Sequence, residues 1–60
     1  MSLPKDPFML LSYVNTQLRD NFSSLEELAS SLGVDKDVIV KTLDGAGFEY
    51  KEDLNRFAAK

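Results

Sequence analysis

A chain of 60 residues is long enough for one domain, and we predict that residues 1–60 form a single one. The sequence contains neither Cys nor His, which excludes disulfides and removes the usual ligands of zinc, copper and haem, so we expect no metal and no cofactor. The net charge is −3, whereas domains that bind nucleic acid through its phosphates are usually strongly basic.

The same composition argues against catalysis and against a membrane. Without His or Cys, an enzyme would depend on carboxylates, Lys, Tyr or Ser, and no serine here has an identifiable base. Residues 45–47 carry two glycines but lack the Lys and the helix that follow a phosphate-binding loop. No stretch is long and apolar enough to span a bilayer. An acidic residue and prolines interrupt the N-terminal segment before any apolar run begins, so we expect no secretory signal. We expect a cytoplasmic protein that is not an enzyme and has no small-molecule substrate.

The first helix is predicted to begin at Pro7 and to end near Asn21. Asp6 is a good N-cap, and Pro7 occupies the first helical position, where its missing N–H costs nothing. Apolar residues at helical spacing predict one core face: Phe8, Leu11, Val14 (or Asn15), Leu18 and Phe22.

The second helix is predicted from Leu25 to Leu32. Ser24 followed by Glu27 three residues later is typical of a capping box at a helix start. Gly33 follows at the position where a left-handed C-cap is needed.

The third helix is predicted from Lys36 to Asp44, with Asp35 as its N-cap and residues 45–47 as its end. The inward positions are expected to be Val38, Ile39, Thr42 and Leu43.

Two interpretations of the last segment remain open. Residues 48–50 alternate like a strand and residues 56–58 can return beside them, with residues 51–55 as the turn and Asn55 in a left-handed conformation. The alternative is a terminal helix, because Leu54, Phe57 and Ala58 also have helical spacing. We favour the hairpin.

Residues 26–43 resemble the helix-turn-helix of many bacterial regulators, and the hairpin resembles a small wing. The predicted fold is therefore mainly α: a three-helix, helix-turn-helix-like domain with a short C-terminal β-hairpin. DNA-binding members place the third helix in the major groove. Here the expected outward face of that helix has three acidic and two basic residues, and it has no Arg, Asn or Gln to bind the edge of a nucleobase. The outward residues are Asp35, Lys36, Asp37, Val40, Lys41 and Asp44. We interpret this as a solvated face, with pairs such as Asp37 and Lys41.

Over nearly its full length the chain also resembles a bacterial family of about this size whose members form a domain of unknown function. The resemblance rests on residues 3–7, 9–12, 14–16 and 18–20, and on residues 47–50 with Leu54 and Asn55. It implies a bacterial, free-standing small protein and supplies no activity.

The first helix carries more apolar residues than one core face needs. Met9 and Tyr13 are four residues apart on a second side, and Leu10 lies between the two faces. Either the segment around Leu3 or the aromatic residues at 48, 50 and 57 cover them as core, or they stay exposed as a contact patch for a partner or a second copy. We predict a non-catalytic protein-interaction or self-association module, with Met9, Leu10 and Tyr13 as candidate contacts.

The alternative function is a weak or accessory DNA-binding module, which we regard as the lesser hypothesis because of the acidic balance. Its candidate contacts are the basic residues of the third helix and of the wing: Lys36, Lys41, Lys51 and Arg56.

Overall fold

The computed structural model describes residues 3–60. Three helices are followed by two strands in the order α1 Pro7–Asp20, α2 Leu25–Leu32, α3 Lys36–Gly45, β1 Phe48–Lys51 and β2 Arg56–Ala59. The predicted fold class is confirmed, and the alternative of a terminal helix is wrong. The strands form a two-stranded antiparallel hairpin in which Tyr50 faces Phe57 and Lys51 faces Arg56.

Each helix begins at its predicted residue, and α2 also ends at its own; α1 ends at Asp20, next to the predicted Asn21, and α3 continues one residue beyond the predicted Asp44, to Gly45. Asp6 accepts hydrogen bonds from the N–H groups of Phe8 and Met9, at 2.8 and 3.3 Å. Ser24 Oγ accepts from the N–H of Glu27 at 3.0 Å. Gly33 ends α2 with φ at 70°, the left-handed conformation that glycine adopts without steric cost.

The core lies between the three helices and one face of the hairpin. Its buried residues come from every helix and from β2: Leu10, Val14, Leu18, Leu25, Leu28, Ala29, Ile39, Leu43 and Phe57. On α1 the buried stripe is Leu10, Val14 and Leu18, at strict four-residue spacing. The prediction that Phe8 belongs to the core is wrong, because the stripe turns Phe8 outward, where 65% of it is exposed.

The third helix departs from its predicted orientation by a similar rotation. Ile39 and Leu43 are buried as predicted, but Val38 is 58% exposed. Val40, expected to face outward, is half-buried and packs against the core. The inward face of α3 therefore runs through positions 36, 39, 40 and 43, the side on which β1 packs.

Two asparagines attach the hairpin to α1. The side-chain amide of Asn15 exchanges two hydrogen bonds with the backbone of Phe57: Oδ1 accepts at 2.8 Å and Nδ2 donates at 3.1 Å. Asn55 adopts a positive φ of 50°, as predicted, and ends the turn. Its Nδ2 donates to the carbonyls of Leu18 and Phe22, at 3.1 and 3.0 Å. The position of the wing is therefore set by polar contacts as well as by the burial of Phe57.

Candidate functional site

The first turn of α1 carries two adjacent exposed apolar side chains. Phe8 is 65% exposed and Met9 is 64% exposed. The ring of Phe8 meets the ring of Phe48 edge-on, with centroids 6.1 Å apart. We call Phe8, Met9 and the half-buried Phe48 the α1 corner.

The predicted contact patch agrees with the α1 corner at one residue of three. Met9 is exposed as predicted, but Leu10 is 2% exposed and lies in the core. Leu10 is therefore not a contact residue, because it begins the buried stripe of α1. Tyr13 is half-buried and packs against the same core. The sequence pattern missed Phe8, which it assigned to the core.

The size of the α1 corner sets what it can do. A buried Phe contributes about 150–250 Å² of contact area, so the exposed parts of Phe8 and Met9 together offer roughly 250 Å². A stable complex buries about 800 Å² on each partner. The corner is therefore an anchor within a larger contact, and it does not suffice as an interface by itself.

A shallow groove of mixed polar and apolar lining lies between α1 and the end of the hairpin. It measures about 610 Å³, and its lining comes from both elements: Ser12, Asn15, Thr16, Leu18, Arg19, Leu54, Asn55 and Arg56. Leu54 is 60% exposed at its rim. Asn15 and Asn55, whose amides hold the hairpin, form part of its surface. Its lining residues carry hydroxyl, amide and guanidinium groups and no carboxylate.

The charge on one wall of this groove is compensated. Arg19 Nε donates to Asp20 Oδ1 at 2.9 Å, and the second guanidinium nitrogen reaches Oδ2 at 3.0 Å. These hydrogen bonds, together with the charge attraction, raise the pKa of Arg19 and lower the pKa of Asp20. Within residues 3–60, Arg56 makes no ion pair, so it is the uncompensated charge of the groove.

Of the four basic residues considered as nucleic-acid contacts, two belong to α3 and two to the hairpin, and one residue of each two is paired with an acidic side chain. Lys36 pairs with Glu26 at 3.3 Å, and Lys51 pairs with Glu49. Lys41 lies on the exposed side of α3. Lys51 and Arg56 face each other across the hairpin, on the side away from the core.

The exposed side of α3 is mixed in charge and partly apolar. Its exposed side chains are those of Asp37, Val38, Lys41 and Asp44, and Asp44 pairs with Lys60. The pair expected between Asp37 and Lys41 is absent among the ion pairs of the described residues. One cation flanked by two acids gives this helix no basic stripe to lay along a phosphate backbone.

Within residues 3–60, no helix has the length and apolar character needed to cross a membrane. Residues 3–60 also contain no cluster of three or more acidic side chains that could hold a metal ion.

Comparison with known proteins agrees with the resemblance inferred from the sequence. Neither the curated proteins nor the solved structures yield a match to the chain. One family model does match, over residues 4–57, and its description is "Domain of unknown function (DUF4250)". Since this match spans all three helices and most of the hairpin, the chain belongs to the DUF4250 family.

Proposed function

We propose that this domain is a non-catalytic protein-interaction module of the cytoplasm, which docks on its partner through the α1 corner. The observation that carries the proposal is the exposure of Phe8 and Met9 side by side, at 65% and 64%. Large apolar side chains are costly to leave in water, and aromatic residues and Met are enriched at protein interfaces.

The backbone of the α1 corner is fixed before any partner arrives. Asp6 accepts hydrogen bonds from the N–H groups of both Phe8 and Met9, and these bonds hold the first turn of α1. The contact between the rings of Phe8 and Phe48 restricts the aromatic side chain further. An anchor that is already ordered loses little conformational entropy on binding.

The experiment compares capture of partners by the native chain and by matched variants. The test variant is Phe8→Ser with Met9→Ser, and the control is Val38→Ser, which removes a side chain of similar exposure from α3. Each tagged chain is incubated with nuclease-treated lysate of the source cells, and thermal melts verify that each is folded. A protein retained by the native chain and by the control, but lost by the double variant, supports the proposal.

Equal capture by all three chains contradicts docking at the α1 corner. Sedimentation of the purified chain identifies self-association as the alternative use of the same surface. If the native chain dimerises and the double variant does not, the partner is a second copy.

DNA binding is the second candidate, and the order of three helices followed by a hairpin is the observation that favours it. The charges oppose it, because α3 exposes Lys41 beside Asp37 and Asp44. Bringing these carboxylates toward phosphates costs free energy that one lysine does not offset. We therefore rank it below the protein-interaction function.

A further inference from the structure

The hydrogen bonds of Phe57 reveal which way the backbone groups of the hairpin point. Both the N–H and the C=O of Phe57 bond the side chain of Asn15, so both are directed away from β1. The N–H of Lys60 donates to the carbonyl of Gly47 at 3.0 Å, which continues the ladder in the same alternation. Antiparallel pairs alternate between those that bond each other and those that do not. Tyr50, the partner of Phe57, therefore directs its own N–H and C=O away from β2.

The two outer edges of the hairpin differ in how these groups are used. On β2, the amide of Asn15 occupies the place of a neighbouring strand. On β1, the outward backbone groups of Phe48 and Tyr50 have no hydrogen-bond partner among residues 3–60. β1 has no proline or bulge to block pairing. Such an edge is a template for an added strand.

A second groove borders this free edge. It measures about 380 Å³ and lies between β1 and the first turns of α2 and α3, where its lining residues are Ser23, Ser24, Leu25, Glu26, Lys36, Val40, Tyr50 and Glu52. Val40 is half-buried and packs against the core, so it presents an apolar surface to the groove. Space for a strand and a floor for its inward side chain therefore lie beside the unpaired backbone.

From these observations we propose that the free edge of β1 binds an extended peptide segment of another protein as a third, antiparallel strand. This site meets the α1 corner at Phe48, whose side chain contacts Phe8 and whose backbone belongs to the edge. Its pairing is centred on Tyr50 and does not depend on docking through Phe8 and Met9.

A second copy of the domain does not fit the same edge. β1 packs against α3 and β2 packs against α1. Pairing β1 with its counterpart would bring the two strands to about 4.8 Å and carry the two α3 helices beneath them to a similar distance. Packed helices need about 8–10 Å between their axes. A peptide without a helical layer avoids this clash.

The side chains of β1 specify the chemistry of the peptide. Tyr50 lies on the core side of the hairpin, where its ring meets that of Phe57. Glu49 and Lys51 lie on the other side and pair with each other, so an added strand exchanges that one pair for two cross-strand pairs. Opposite charges that face each other across strands are favourable. The preferred antiparallel segment is therefore acidic, apolar, basic: the acid opposite Lys51, the apolar residue opposite Tyr50 and above Val40, and the base opposite Glu49.

The test uses an eight-residue peptide with blocked ends, threonine flanks and a central Glu-Val-Lys, labelled for fluorescence anisotropy. A chain of 60 residues is accessible to chemical synthesis, so single backbone amides can be methylated. N-methylation at Tyr50 removes an outward N–H of β1, and N-methylation at Ala59 removes an outward N–H of β2 as the matched control. We expect the first to weaken peptide binding at least about tenfold and the second by less than about twofold.

Two measurements keep the result clear if a methylated chain folds poorly. A peptide methylated at its central Val probes the same backbone bonds with the unaltered protein, and it is expected to bind at least about tenfold more weakly. A peptide with Lys-Val-Glu at its centre is expected to bind about threefold more weakly, because like charges then face each other.

Three outcomes overturn the proposal. The first is that the Glu-Val-Lys peptide does not bind. The second is that the chain methylated at Tyr50 binds it as tightly as the native chain does. The third is that the native chain dimerises and that methylation at Tyr50 abolishes the dimer. Phe8→Ser with Met9→Ser is expected to leave peptide binding unchanged, so failure here is distinguishable from failure of docking at the α1 corner.

Discussion

The amide of Asn15 takes the place of a third strand, and its removal tests how the wing is held. In Asn15→Ala, the N–H and the C=O of Phe57 both lose their partner. The vacated space lies between α1 and β2, where Phe57 itself is 1% exposed. The variant should therefore loosen β2 from α1 while leaving the helices intact.

The expected loss of unfolding free energy is about 1.5 kcal/mol. A hydrogen bond contributes about 0.5–1.5 kcal/mol net, and the full penalty for an unpaired group applies only where water is excluded. Asn15 is half-buried, so water reaches part of the site, and we assign about 1 kcal/mol to each of the two bonds. Alanine is a better helix former than asparagine by about 0.5 kcal/mol, which offsets part of the loss.

Urea denaturation followed by circular dichroism measures this loss. A domain of this size has a net stability of a few kcal/mol, so the midpoint should fall clearly. Thr16→Ala, at an exposed position of the same helix, is the control. It makes the same gain in helix propensity without losing the bonds to Phe57, so it should be more stable by about 0.5 kcal/mol. Amide exchange at Phe57 should accelerate in Asn15→Ala. A change below about 0.5 kcal/mol with unchanged exchange would refute the role of Asn15.

Three further predictions concern the turn of the hairpin, the N-cap of α2 and the charge of α3. Asn55→Gly keeps the positive φ but loses the side-chain bonds, so urea denaturation should show a loss of about 1–2 kcal/mol; Asn55→Ala should lose about 1 kcal/mol more, because alanine is strained there, and equal losses would contradict this. Ser24→Ala should cost about 1 kcal/mol in the same assay, whereas an unchanged midpoint would show that the cap is not needed. Titration of a labelled duplex at physiological salt should show no binding tighter than about 10 µM, and salt-sensitive nanomolar binding would contradict the charge argument.

The element boundaries were predictable because each depends on local chemistry. Asp6, Ser24 and Asp35 bond N–H groups two or three residues away, so the sequence alone contains both partners. Gly33 and Asn55 mark turns because their residue types tolerate the left-handed conformation.

The direction of the core faces was less predictable. On α1, a stripe through Phe8 and a stripe through Leu10 share Val14 and Leu18, so periodicity alone does not separate them. The tertiary packing decides: Leu10 is buried in the core, whereas Phe8 stays exposed and its ring meets that of Phe48. Val38 and Val40 exchange places on α3 for the same reason.

The polar contacts that hold the wing could not be predicted from spacing. Asn15 lies 42 residues from Phe57 in the chain, and no local sequence pattern predicts a contact between residues so far apart in sequence. The ambiguity between Val14 and Asn15 on the predicted core face was the one available signal, since an amide at such a position needs a hydrogen-bond partner.

The two asparagines also explain why the free edge of β1 would be ready to bind. Asn55 accepts from the hydroxyl of Tyr50 at 2.7 Å while its Nδ2 holds two carbonyls near the end of α1. Asn15 fixes β2 in the middle of the hairpin. The strand that would receive a peptide is thus attached at its tip and through its partner, although an isolated two-stranded hairpin is barely stable in water. Binding would then order the peptide alone, and the entropic cost would fall on the peptide. Loosening the wing with Asn15→Ala should therefore weaken peptide binding without touching the β1 edge, and anisotropy with the Glu-Val-Lys peptide measures that coupling.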